Sequence, residues 1–322
     1  MLPTRLRVVI PLFCLMSFMG PWILFAEQER FRQVTSSTIK LGENLDKLSL
    51  DALSQVPTPL IKGGSSDSIH FILYRNNIFI QVSVNNSKQC LFWVDTGGGT
   101  SFINSRHPNF KEAIQTCPKV HVINVEKNGQ VVNNAVVLFN CPSMKFGGVE
   151  LQDTIVEMKE SDDFDKTIFN EIGLEVCGML GTTALRALVS EIDYPQGTIR
   201  FILPSAFAVE SKKDAKRCSF TVNPNKGNLP YVKAQVNGKD TFDFDFDTGC
   251  SGAFRISEDL VKNLGLEFNE KTLLLDSVKI GQLSFEKQLA KKSSHPFCIV
   301  GYGIFRNFRI TIDYSRGTIY FE

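Results

Sequence analysis

Asp-Thr-Gly occurs twice in the chain, at Asp95-Thr96-Gly97 and Asp247-Thr248-Gly249, and each copy closes an apolar, β-type run that follows a turn. The surroundings repeat as well. Val82 to Asp95 (VSVNNSKQCLFWVD) aligns without a gap on Ala234 to Asp247 (AQVNGKDTFDFDFD), with Asn85 falling on Asn237. Gly181, in CGMLG, precedes Asp193 by twelve residues, and Gly301, in CIVG, precedes Asp313 by the same twelve. A duplication of this kind is built to bring two carboxylates together. Like charges a few ångströms apart cannot both ionise cheaply, so one carboxyl keeps a proton and the other becomes a base. Around a bound water such a pair can hydrolyse an amide. The ionised member takes a proton as the water attacks the carbonyl, the protonated one hydrogen-bonds the developing oxyanion, and a proton passes to the leaving nitrogen.

Other chemistries find little support. There is no HExxH, no CxxC and no Gly-x-Ser-x-Gly, and the four histidines, His70, His107, His121 and His295, are scattered. Neither a metal nor a cofactor is expected. Glycosidases also pair carboxylates, but they do not require a duplicated Asp-Thr-Gly with matched glycines. Asp193 and Asp313 each precede a strand-turn-strand pattern and read as residues that fix that turn.

The two copies, with their distant glycines in register, resemble the aspartic protease superfamily, pepsin-like and retropepsin-like. The match covers roughly residues 69 to 322. The resemblance implies an all-β, bilobal, pseudo-twofold acid-protease fold with few short helices. It also implies an endopeptidase that takes an extended polypeptide by strand addition. Asp95 and Asp247 would be the catalytic dyad, and Thr96 and Thr248 would cross-brace the two loops. Gly97 and Gly249 would let backbone N–H groups approach the carboxylates, and Gly181 and Gly301 would lie beneath. Two departures keep open a second reading, an inactive bilobal relative that binds an extended peptide without cutting it. Asp245 stands where the family usually has an apolar residue, and the flap tyrosine of pepsin-type enzymes is missing. By alternation Asp245 shares a face with Asp247; with its counterpart Trp93 it is read as a substrate-binding wall, Asp245 favouring a basic side chain. Relatives usually place Ser or Thr after Asp-Thr-Gly. Gly98 and Cys250 stand there instead and offer no strong donor to the carboxylates, so a milder working pH is expected.

The elements that must position these residues read as hairpins. From Ile69 onward the pattern alternates in runs such as NIFIQVSV and CLFWVD, separated by turn residues. Residues 67–204 form the first lobe, 205–217 a charged, solvated linker and 218–322 the second lobe. Asn237-Gly238 signals a hairpin turn, and Ser257 and Gly265 bracket a short helix. Asp95 to Gly181 spans 86 residues and Asp247 to Gly301 spans 54. The surplus includes KVHVINVEKNGQVVNNAVVLF, read as a flap hairpin turning at Lys127-Asn128-Gly129. Residues 27–66 read as a polar spacer, with helix-like spacing at Leu45, Leu48, Leu50 and Leu53 and a flexible joint at Gly63-Gly64-Ser65-Ser66.

Arg5 and Arg7 precede an uncharged stretch from Val8 to Ala26, the layout of a signal peptide over residues 1–26 or of an uncleaved anchor. Either puts the lobes outside the cytoplasm, in the periplasm or beyond the cell, with a membrane partner only if the segment stays on. A formal net charge of +1 with no basic stripe excludes nucleic acid as a partner, and the chain is read as a monomer. Of the eight cysteines, Cys14 lies in the leader, leaving an odd number. Cys117 and Cys141 either staple one hairpin or stay buried as free thiols.

Overall fold

Alternating residues give each strand two distinct faces, and in this chain the inward faces meet across two sheets. The computed structural model describes residues 35–40, 56–127, 130–159, 173–223, 228–239, 241–293 and 296–322. Asn77–Val84 pairs antiparallel with Cys90–Val94, Ile78 opposite Val94, around Asn85 and Asn86 at positive φ. Leu229–Val236 pairs likewise with Thr241–Phe246 through Asn237 and Gly238, at φ 51° and 68°. Asn-Gly tolerates the left-handed backbone that this turn requires.

Beyond each Asp-Thr-Gly the pattern continues in duplicate. The strand leading to the distant glycine, Val176–Leu180 or Cys298–Val300, lies parallel to the strand ending at the aspartate. It runs antiparallel to the strand after the loop, Ser101–Asn104 or Phe254–Ile256. A hairpin flanks each set, Gln130–Phe146 with Val149–Lys159 in the first half and Thr272–Ile280 with Leu283–Lys292 in the second. The halves then merge. Val189–Asp193 pairs antiparallel with Arg309–Asp313, and Thr198–Ile202 and Thr318–Phe321 lie outside them. The register is symmetric, with Val189 opposite Asp313, Glu191 opposite Thr311 and Asp193 opposite Arg309. The architecture is all-β and bilobal, with short helices at Thr182–Leu185, Glu258–Leu264 and Tyr302–Phe305. Ser257 accepts from the Leu260 N–H and Gly265, at φ 67°, ends the second helix, as their residue types dictate.

Phenylalanines fill the centre. Phe92, Phe146, Phe201, Phe246 and Phe305 are buried in one cluster that spans both halves, and each contributes about 1.5–3 kcal/mol by leaving water. Phe246 stacks on Phe305 at 4.3 Å, joining the strand before Asp247 to the helix after Gly301.

Three features depart from the sequence reading. The Gly63–Ser66 joint is docked: Ser66 is buried, its N–H donates to the Phe201 carbonyl and its hydroxyl accepts from the Phe201 N–H, both at 2.7 Å. Spacer residues Thr35–Lys40 form a strand parallel to Lys119–Lys127, and Leu60–Gly63 pairs with Val149–Gln152. In the charged connector Lys212 is buried rather than solvated. It bonds Glu191 at 2.6 Å and also pairs with Glu322, and so binds the connector to the central sheet and the chain's end. The extra hairpin of the first half is formed by Lys119–Lys127 and Gln130–Phe146. Its turn at Asn128-Gly129 lies outside the described residues, as do residues 1–26 and Leu45, Leu48, Leu50 and Leu53. Among the described residues no helix is long and apolar enough to cross a membrane.

Candidate active site

Each aspartate sits where its strand stops and a tight loop begins. The Asp95 N–H donates to the Leu180 carbonyl at 3.0 Å and the Asp247 N–H to that of Val300 at 3.0 Å. Both loops therefore hang from the strand that ends at the distant glycine. The next turn repeats too: the Gly98 N–H donates to the Asp95 carbonyl and the Cys250 N–H to that of Asp247, at 3.3 and 3.2 Å.

The threonines join the two loops. Thr96 Oγ1 donates to the Phe246 carbonyl (2.5 Å) and accepts from the Thr248 N–H (3.0 Å). Thr248 Oγ1 donates to the Val94 carbonyl (3.1 Å) and accepts from the Thr96 N–H (3.0 Å). Both side chains are buried. Four hydrogen bonds in a dry site thus fix one loop against the other.

The glycines are there for clearance. A Cβ on Gly97 would fall 2.6 Å from Asp247 Oδ1, and one on Gly249 would fall 2.6 Å from Asp95 Oδ1 and from Trp93 Cζ2. The bare backbones let each loop reach the opposite carboxylate. Each also supports its own, the Gly97 N–H donating to Asp95 Oδ1 at 2.9 Å and the Gly249 N–H to Asp247 Oδ1 at 2.7 Å. Gly181 passes under the first loop, where a Cβ would lie 2.6 Å from the Gly98 and Thr100 carbonyls. Gly301 does the same under the second, 2.5 Å from the Cys250 carbonyl.

Asp95 and Asp247 share a hydrogen bond, and both are held above the usual carboxylate range. For Asp95 burial is the main cause, followed by the Asp247 charge and the bond to Asp247; the Gly97 and Gly98 N–H groups pull the other way. For Asp247 burial again dominates, opposed by the bond from Asp95, the Gly249 N–H and the Arg255 charge. The two titrate as a pair rather than as two independent carboxyls.

Trp93 lies against Gly249 and so beside the dyad. Asp245 does not reach a cleft wall. It is 1% exposed, opposite Tyr231 in register, and its charge adds to burial in pushing the Tyr231 and Tyr314 phenols up. At 1% exposure its carboxylate presents no open face to a basic substrate side chain. Asp193 and Asp313 hold their turns: Asp193 Oδ1 accepts from the Gln196 N–H, and Asp313 Oδ1 from the Ser315 and Arg316 N–H groups.

The disulfide that forms, Cys90 to Cys177, was not anticipated. It joins the starts of the two parallel strands that carry Asp95 and Gly181. The available signal was positional, each cysteine standing a few residues before its anchor. Cys117 and Cys141 are free, buried thiols that both lie against the Asn85 amide, so of the two readings the unbonded one holds. His107 lies beside Cys90 and Cys177. With both sulfurs in the disulfide, no thiolate is left there to hold a metal. Sequence reasoning also missed Arg255, in the strand that leaves the second loop, whose charge favours ionisation of Asp247 and of the nearby Cys250 thiol.

No family model and no curated protein matches the chain. Among solved structures, the crystal structure of a retropepsin-like aspartic protease from Rickettsia conorii is similar over 33% of this chain and 90% of that one. Identity is 17% and the TM-score 0.28, a likeness too slight to carry an argument.

Proposed function

We propose that the chain is an aspartic endopeptidase that hydrolyses extended polypeptides through Asp95, Asp247 and a water activated between them. The observation that carries this reading is the contact of the two carboxylates, one from each half, each with its own glycine N–H and both held protonation-prone by burial. A pair sharing one proton contains an acid and a base at once, and hydrolysis of an amide by water needs both. The threonine bonds support the reading because they hold the carboxylates in place independently of substrate. Export to the periplasm or beyond, read from residues 1–26, is part of the same proposal.

Incubating the protein with a diverse peptide mixture tests it. Asp95→Asn and Asp247→Asn should each lower turnover by at least about a thousandfold with the fold intact by circular dichroism. Near-normal turnover in either variant would rule out a shared dyad. A transition-state mimic with a central hydroxyl should inhibit and chelators should not. A folded parent that binds peptides and cuts none across pH 3 to 8 would identify a non-catalytic peptide-binding relative instead.

A further inference from the structure

Beside the dyad, in the second half, the sheet presents a row of cations. Arg255 stands opposite Lys291 in parallel register, and Lys291 stands opposite Thr272 on the next strand. Lys271 precedes Thr272, and its carbonyl accepts from the Lys292 N–H at 2.8 Å. Phe254 and Ile256 are buried while Arg255 between them is only partly covered, so the row lies on the face opposite the core. Together with Ser293 these residues line an open recess of about 640 Å³ that contains no acidic side chain. Lys292 is engaged by Glu258. Among the described residues, no ion pair occupies Lys271 or Lys291.

Two observations tie the recess to the reaction centre. Arg255 stands opposite Ile299, the neighbour of Val300 whose carbonyl accepts the Asp247 N–H, and its charge acts on Asp247, so the inner end of the row lies near the dyad. The first half has no such row. By register the counterpart of Arg255 there is Phe102, half-buried between Ser101 and Ile103, which stands opposite Glu157 where Arg255 stands opposite Lys291. The duplication therefore sets an aromatic ring and a carboxylate in the first half where the second half has two cations.

We propose that Arg255, Lys271 and Lys291 form a subsite for an acidic side chain, Asp or Glu, of the polypeptide substrate. The proposal rests on the peptidase reading of the dyad. An extended chain bound across the dyad would carry this acid at one fixed position, always on the same side of the scissile bond. Each exposed charge pair contributes little by itself. Three cations around one carboxylate should together give about tenfold discrimination against the uncharged amide.

Two measurements on the full chain test this. In cleavage-site profiling of a proteome-derived peptide mixture, Asp and Glu should be enriched at one fixed position near the cut. The enrichment should weaken in 0.5 M salt and turn toward Lys in a Lys271→Glu, Lys291→Glu double variant. In the second, fluorescent peptides that differ only in Glu or Gln at that position are titrated by anisotropy against the Asp95→Asn variant. The Glu peptide should bind about tenfold more tightly, and the difference should vanish in the double charge reversal. Cleavage without acidic enrichment overturns the subsite and leaves the peptidase standing. Preferential binding of the Glu peptide by a protein that cuts nothing would overturn catalysis and keep the subsite. Equal binding of the two peptides overturns the subsite whatever the activity.

Discussion

Thr96 and Thr248 each spend their hydroxyl twice, as donor to a carbonyl and as acceptor from an N–H of the other loop. Thr248→Ala would leave the Thr96 N–H and the Val94 carbonyl buried without partners. Leaving buried groups unpaired costs about 1–3 kcal/mol, and urea unfolding should show a loss of that size that Thr248→Ser largely avoids. The aspartates have the opposite effect on stability. Both carboxyls titrate higher in the folded protein than in the unfolded chain. Their protonation therefore supports folding at low pH, and that support is lost as the pH rises through the folded values. Asn does not titrate, so Asp95→Asn should be more stable than the parent at pH 7, with the gap closing below about pH 4. In the proposed reaction the singly protonated pair is the active form, and raising both carboxyls moves its window upward. The kcat/KM profile should peak above pH 4, past the unperturbed Asp value of about 3.9; a peak below pH 3 would contradict the proposed dyad. Asp245→Leu should leave the cut sites unchanged, because no substrate group reaches a carboxylate that is 1% exposed.

At the level of elements, the two glycines beneath the loops are the sharpest test of the duplication. A methyl group on Gly181 or Gly301 would press on backbone carbonyls that the strands hold in place. Gly181→Ala and Gly301→Ala should each destabilise by about 1–3 kcal/mol and lower turnover further by moving an aspartate. Both glycines were legible in the sequence, as were the Asn237-Gly238 turn, the Ser257 cap and the turn-fixing roles of Asp193 and Asp313. Each of these depends on a local rule of spacing or backbone conformation. What the sequence concealed depends on contacts between distant segments. Cys90 and Cys177 meet only because their strands lie parallel, 87 residues apart in the chain. Asp245 is covered only because Tyr231, opposite it on the neighbouring strand, and Tyr314, in the turn after Arg309–Asp313, come to it. The Arg255–Lys291–Thr272 row exists only in the register of three strands. Replacing both Cys90 and Cys177 by Ala should lower stability by about 2–5 kcal/mol, readable as a lower thermal midpoint.

For the molecule as a whole, the central sheet is where the halves become one body. Lys212 ties the connector to Glu191 and Glu322 there. If residues 1–26 are a signal peptide, sequencing of native material should begin at or near Glu27; an intact Met1 in a membrane fraction would identify an anchor. The seam itself has an ancestry written into it. Val189–Asp193 and Arg309–Asp313 are copies of one another, and they pair about a point at Glu191 and Thr311, which is the geometry of two identical strands related by a twofold axis. A half-length forebear could have closed the same seam with a second molecule of itself. The present second half retains what that would need, since self-pairing in this register would set Arg309 opposite Asp313 on both sides of the axis, where Arg309 now meets Asp193. The first half, with Val189 at the corresponding place, would gain no such pair. Residues 218–322 expressed alone should therefore run as a homodimer in light scattering, whereas in the full chain the seam is closed within one molecule.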